Sequence, residues 1–384
     1  MASVVETAPL VLDVGAVLLV AATSGLVARK VGLPAIVGYL LTGLLVSPFT
    51  PGFVADSKQI AILADIGVVL LLFEVGIEID LRRIRREHGA LLWAAPVQVF
   101  LGTALGTALF LALDIPLFGA SLLALSLAMS SSVVIVNITR SRRRTTSVET
   151  EEALLGWSVL QDVTGVALAA FIIALLGTDS ESPVKAIIGL IGFTVLAVVA
   201  SKLLPSLLKI IRWESDLFLI YSVAIGLSIA ALGTVVFGIP MALASFVAGL
   251  AINQSRDTDD VRKAVLPFRD LFQVLFFVVI GSLVEPALIK EALPFTLILL
   301  GSMFLLKTLP AYLFSRFGKI GASAGQLSVG LSQIGEFSFV LGSAALTAGV
   351  LTKVQFTGIL LGVISSIIIS TLAVRRASRI SRSI

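Results

Sequence analysis

The chain has 384 residues, 57% hydrophobic and 14% charged, with a mean hydropathy of +1.07. A soluble domain carries about 25% charged residues, so a water-facing globule is excluded and the solvent is a bilayer. With no cysteine, disulfides, iron–sulfur clusters and zinc thiolates are excluded too, and the single histidine argues against a histidine-based metal site. The net charge of +4 raises nucleic acid as a partner, but the placement of the basic residues argues against it.

A spanning helix needs roughly 20 mainly apolar residues. Thirteen such segments are expected, near 9–28, 33–48, 59–80, 89–113, 115–138, 151–177, 184–209, 215–237, 239–254, 268–284, 291–314, 322–348 and 354–374. The N-terminus, MASVVETAPL, lacks the basic stretch of a cleaved signal peptide, so the first segment is expected to be retained. The second opens on Gly32-Leu33-Pro34 and carries Gly43-Leu44. The third holds Glu74 inside LLLFEVG, where it can line an interface or an accessory pathway. Glu78 and Asp80, at its end, read as interfacial, and His88 as a solvated bystander in a basic segment. The fifth, LSLAMSSSVVIV, is interrupted at mid-depth by Ser130, Ser131 and Ser132.

The sixth segment carries a single carboxylate in its middle, Asp162, about 11 residues in; at roughly 1.5 Å per residue that is near the bilayer midplane. Ionisable residues at that depth are costly and mark ion or proton pathways. A carboxylate can coordinate a hard alkali cation or take a proton on the same oxygens, and competition between the two couples their fluxes. The structural alternative is a carboxylate that caps an interrupted helix. Gln161 before it is neutral, so the pair carries one titratable group. Ser158 lies one turn earlier on the Asp162 face.

The ninth segment opens on Gly238-Ile239-Pro240 and carries Gly249-Leu250; the tenth carries Asp270 and Gly281 where the third has Asp65 and Gly76. In the eleventh, Lys307 can either snorkel to an interface or pair with Asp162. The twelfth, VGLSQIGEFSFV, is interrupted at Gln333-Ile334-Gly335-Glu336. Glu336 is expected to neutralise half-helix N-termini rather than to bind the cation.

Of the 28 Lys and Arg, 22 fall on alternate connections, including the runs at 82–86, 140–144 and 375–382. Four fall on the others, and Lys202 and Lys307 lie inside segments. By the positive-inside rule the rich side is cytoplasmic, with the N-terminus outside and the C-terminus inside. The basic runs orient the protein, and nucleic acid is not needed to explain them.

The glycine pairs Gly43/Gly249 and Gly76/Gly281 recur at offsets of 206 and 205. The matched segments are seven spans apart, and an odd number reverses orientation, so the repeat is inverted. Inverted repeats mark secondary transporters, with the site at the repeat interface. The same offset relates the interruptions at 130–132 and 333–336, which are expected to be broken helices forming an ion site.

Four segments, GLPAIVGYLLTG, ADIGVVLLLFEVGIE, LQD and GEFSFVL, resemble the membrane domain of the monovalent cation:proton antiporter-2 family, in particular its Kef-type potassium/proton branch. The resemblance covers nearly the whole chain. It implies one all-α transmembrane exchanger domain of the NhaA/NapA-like antiporter fold, with inverted repeats over about 32–177 and 238–374. It also implies two crossed broken helices, a homodimer, and a core that moves elevator-like between access states. Asp162 would carry K+ or Na+ and the proton in turn, and Lys307 would be the family's functional membrane lysine. Sodium-exchanging, electrogenic relatives carry Asp-Asp, whereas Gln161-Asp162 resembles the electroneutral potassium type. No cofactor is implied.

Kef-type proteins commonly continue into a cytosolic nucleotide-binding domain. No GxGxxG after a strand and no soluble domain is seen here. Three readings stay open: no regulation, a separate cytosolic regulatory subunit docking on the basic loops, or a shortened chain. The expected function is potassium/proton antiport in the plasma (inner) membrane. The rivals are Na+/H+ antiport on the same fold and a cation channel or efflux pore. A single buried acid with no buried arginine near the break argues against an organic-anion carrier. No zinc, nucleophile–base or phosphate-loop constellation suggests an enzyme.

Overall fold

In the computed structural model the chain is all-α. The described residues are 2–47, 49, 57–78, 89–131, 134–135, 146–176, 183–211, 213–239, 241–253, 258–318, 320–335 and 337–381. The helices are α1 (Ala2–Lys30), α2 (Ala35–Leu45), α3 (Ser57–Glu78), α4 (Leu91–Leu111), α5 (Leu117–Ala128), α6 (Val148–Leu176), α7 (Pro183–Ile211) and α8 (Ser215–Phe237). They continue with α9 (Met241–Asn253), α10 (Thr258–Ser282), α11 (Ile289–Met303), α12 (Leu309–Phe317), α13 (Ala324–Leu331), α14 (Phe337–Thr347) and α15 (Lys353–Ser381). Among the described residues nine helices are long and apolar enough to cross a membrane. Four shorter apolar helices coincide with the second, fifth, ninth and twelfth expected segments.

Two elements differ from the sequence expectation. The tenth helix starts at Thr258 instead of 268, so Arg262, Lys263 and Arg269 lie on it and not on a connection. Its first turns are charged and read as loop, yet Asp259 and Asp260 suit a helix N-terminus. Asp260 also meets Lys263 one turn on, at 3.6 Å. The eleventh segment widens into a π-helical turn over Phe304–Thr308, between α11 and α12. Pro310 has no N–H to give the carbonyl four residues back, which breaks the regular ladder there.

The chain divides into two compact units, Met1–Asp80 with Asp179–Val284, and Leu81–Thr178 with Glu285–Ile384. Each therefore draws on both halves of the sequence.

The first unit, α1–α3 with α7–α10, carries the repeat in its contacts. Gly32 and Gly238, 206 residues apart, both adopt left-handed φ, of 89° and 67°, where their helices end. A Cβ on Gly43 would strike the backbone at Val278 and Gly281, and one on Gly281 would strike Leu40. The repeat-related crossing is the same: Gly76 abuts Phe246 and Gly249, and Gly249 abuts Phe73 and Gly76. The capping bonds repeat as well. Ser47 donates to the Ser282 carbonyl at 3.2 Å, and Asn253 donates to the Ile77 carbonyl at 2.5 Å. Glycine at these crossings lets backbones touch, which supplies packing where lipid provides no hydrophobic drive.

The second unit is α4–α6 with α11–α15. Here α5 stops at Ala128, and Met129 is extended at φ −96°, ψ 143°, before helical geometry returns at Val134 and Ile135. In the same way α13 stops at Leu331 and α14 starts at Phe337. The expected broken helices are present at both places.

Candidate functional site

A helix that stops inside an apolar unit leaves carbonyls and N–H groups without partners, and each must be met by something else. The two interruptions meet part of this need in each other. The Gly335 N–H donates to the Met129 carbonyl at 3.2 Å, and the Ser130 hydroxyl donates to the Leu331 carbonyl at 2.7 Å. Gln333 forms a two-way clamp: its Oε1 accepts from the Ser131 N–H, and its Nε2 donates to the Ser131 carbonyl, both at 3.2 Å. A Cβ on Gly335 would lie 2.9 Å from the carbonyl C and O of Ser130. Only glycine permits so close a crossing without movement.

Lys307 on the π-helical turn is fully buried. Its ammonium donates to the Met129 carbonyl at 2.9 Å and to the Gln333 carbonyl at 2.5 Å, one from each interrupted segment. Those carbonyls follow the C-terminal ends of α5 and α13, where helix dipoles favour a cation. Its neighbour Thr308 shares a 2.6 Å hydrogen bond with Ser332.

Asp162 is 1% exposed on α6 and is bracketed by contacts to the break. Gln161 accepts from the Ser130 N–H at 3.2 Å, and Gly165, almost one turn later, abuts the Met129 side chain. Ser158, one turn before, is fully buried, and its hydroxyl has no hydrogen-bond partner among the described residues. Among those residues no three His, Cys, Asp or Glu side chains gather into a metal-binding group.

The repeat persists here with one asymmetry. Gln161 and Ser366 are 205 residues apart, and each accepts from a break N–H: Gln161 from Ser130, and Ser366 from Ile334 at 3.0 Å. The same offset carries Asp162 onto Ile367, so the acid stands in one repeat only.

Gln161, Ser130, Ser131, Gln333, Gly335 and Lys307 therefore come together at the interruptions. Ser132 and Glu336 lie outside the described residues, as do Asp80, His88 and the basic runs at 82–86 and 140–144. Glu74 belongs to the other unit. It is 1% exposed and is held by Arg262 and Arg269, each at 2.7 Å; Arg269 also meets Asp270 at 2.6 Å.

Sequence reasoning missed Gln98 on α4. It is fully buried; its Oε1 accepts from Gln161 Nε2 at 2.5 Å and from Trp157 Nε1 at 3.4 Å. Its Nε2 donates to the Ala128 carbonyl at 3.2 Å, as Gln161 Nε2 also does. The available signal was an amide inside an otherwise apolar span, since buried amides need partners.

The fold is shared with solved structures. The sodium proton antiporter MjNhaP1 from Methanocaldococcus jannaschii at pH 8 superposes with a TM-score of 0.70 at 20% identity, covering 96% of this chain and 98% of that one. Its electron-microscopy structure gives 0.66 at 17%, with 94% of each chain covered. In sequence, YbaL of Escherichia coli (strain K12), named a putative cation/proton antiporter, is 30% identical over 376 residues, 94% of this chain and 67% of that protein. The family model for the transmembrane sodium/hydrogen exchanger matches residues 16–378, spanning both repeats, both interruptions and Asp162. With crossed broken helices, an inverted repeat and this match along almost its whole length, the chain belongs to the sodium/hydrogen exchanger family of multi-pass membrane proteins.

Proposed function

We propose that the protein is an electroneutral antiporter that exchanges one potassium ion for one proton at Asp162. The observation that carries the reading is that Asp162, among the described residues the one carboxylate beside the crossed interruptions, is preceded by a neutral Gln161 already engaged with the Ser130 N–H. A bare carboxylate in a low-dielectric interior is costly. Asp162 therefore crosses between access states carrying either a cation or a proton, and the exchange is coupled. The buried Ser158 hydroxyl and carbonyls of the interruption are suitable neutral ligands for an alkali cation. Lys307 holds the carbonyl ends of both interrupted segments in place while the ligand changes.

The cation/proton chemistry is in keeping with the family and with the name of YbaL. Sodium is the second reading, favoured by the sodium proton antiporter that shares the fold. The asymmetric distribution of Lys and Arg supports a cytoplasmic C-terminus in the plasma (inner) membrane, and a homodimer completes the reading. The test is dye-reported proton exchange in proteoliposomes titrated with potassium, sodium and lithium, with and without an imposed membrane potential. Potassium-dependent exchange, insensitive to potential and abolished in a folded Asp162→Asn variant, is expected. Full activity in that variant would overturn the assignment, and sodium preference would select the second reading.

A further inference from the structure

The amide chain behind Asp162 has a direction, and one residue sets it. The indole N–H of Trp157 can only donate, so the end of Gln98 that faces it at 3.4 Å must be the carbonyl Oε1. The Gln98 Nε2 then points at the Ala128 carbonyl. Gln161 approaches the same Gln98 Oε1 at 2.5 Å and the same Ala128 carbonyl at 3.2 Å. Both are acceptors, so the group presented there must be an N–H. The remaining Oε1 of Gln161 then faces the Ser130 N–H. Every polar atom on both amides is used. Ala128 ends α5, and the two amides give its orphan carbonyl two donors.

From this we propose that Trp157 and Gln98 are specificity-determining positioning residues: they require an amide, and reject a carboxylate, at position 161. A carboxylate there would keep the bond from the Ser130 N–H but set its second oxygen against two acceptors. Gln98 could relieve the first of these by turning its amide over, but its NH2 would then confront the Trp157 N–H and its Oε1 the Ala128 carbonyl. Position 161 is thus kept neutral by an indole that acts on it through Gln98, together with the Ala128 carbonyl that both amides share. The inference rests on the antiport reading above and concerns its one-for-one stoichiometry.

The test is a double-mutant cycle in proteoliposomes, with thermal melting of the same proteins in detergent. Gln161→Glu in the native background should lower the exchange rate at least about tenfold, because a buried donor becomes a second acceptor. With Trp157→Phe also present, one of the two obstacles to turning Gln98 over is gone, the Ala128 carbonyl being the other, and the further loss caused by Gln161→Glu should shrink at least about twofold. Gln98→Met removes one of the two acceptors that face position 161, at similar volume, and should likewise soften Gln161→Glu in part, the Ala128 carbonyl remaining. If a variant folds too poorly to assay, the same coupling must appear in the melting temperatures. Equal losses in all backgrounds, or no loss in the native one, would overturn the proposal. Exchange that is absent from the wild type, or untouched by Asp162→Asn, would instead overturn the antiport reading itself.

Discussion

Gly335→Ala probes the crossing on which the candidate site depends. The new Cβ would sit 2.9 Å from the Ser130 carbonyl C and O and 3.2 Å from the Ser131 nitrogen. All three are backbone atoms, so no flexible side chain can move aside, and ordinary contact needs a shift of about half an ångström. Overpacking of this kind costs about 1–3 kcal/mol. The Gly335 N–H to Met129 bond is already 3.2 Å long, and a shift of that size breaks it, which adds about 1 kcal/mol. A total near 2–4 kcal/mol is expected, as a melting temperature lowered by several degrees in detergent. Exchange should fall at least about tenfold if the crossing is part of the barrier, since 1.4 kcal/mol corresponds to a factor of ten. Gly325→Ala is the matched control: it lies on α13 with nothing within 4 Å of its Cβ. There alanine should be neutral or stabilising by up to about 1 kcal/mol. Identical melting and wild-type exchange in both variants would refute the reasoning.

Two further outcomes are expected. Glu74→Gln removes the carboxylate that Arg262 and Arg269 share in the first unit, while Arg269 keeps Asp270. Breaking a buried pair costs about 3–5 kcal/mol, but the arginine side chains are 31% and 18% exposed, so solvent screening reduces the loss to about 1–3 kcal/mol. Melting should drop and be partly restored by adding Arg269→Met, whereas unchanged melting would contradict the role assigned to Glu74. Lys307→Met removes one of two donors from the Met129 carbonyl, which keeps Gly335, and the 2.5 Å donor from Gln333. Local protection at residues 329–335 should fall by about 1–3 kcal/mol in amide hydrogen exchange, and equal protection in both proteins would count against it.

The membrane class, the interruptions at 130–132 and 333–336, the repeat offset and the lone Asp162 are all legible along the chain. Each depends on residue type and spacing within one segment, or on comparing two segments in register. The repeat has a consequence that sequence states only as similarity: the matched glycines do not pair with their own counterparts. Gly43 meets Gly281 and Gly76 meets Gly249, as two-fold symmetry requires of helices that cross. Hydropathy starts α10 too late because it reads charged first turns as loop. That error hides the arginines of Glu74, which come from 188 and 195 residues away.

Only the tertiary structure decided what each buried polar group touches. In the sequence, Gln161 is a neutral neighbour of Asp162, and Lys307 has two open fates. Folded, Gln161 closes the end of one broken helix, and Lys307 binds a carbonyl from each. Gln98 gives one local sign, an amide in an apolar run, which does not say what it meets. The physical reason is that the covalent chain sets a residue's donors, acceptors and helical face. Which donor meets which acceptor is settled only when helices distant in sequence pack, and in an apolar interior a buried polar group without a partner is costly.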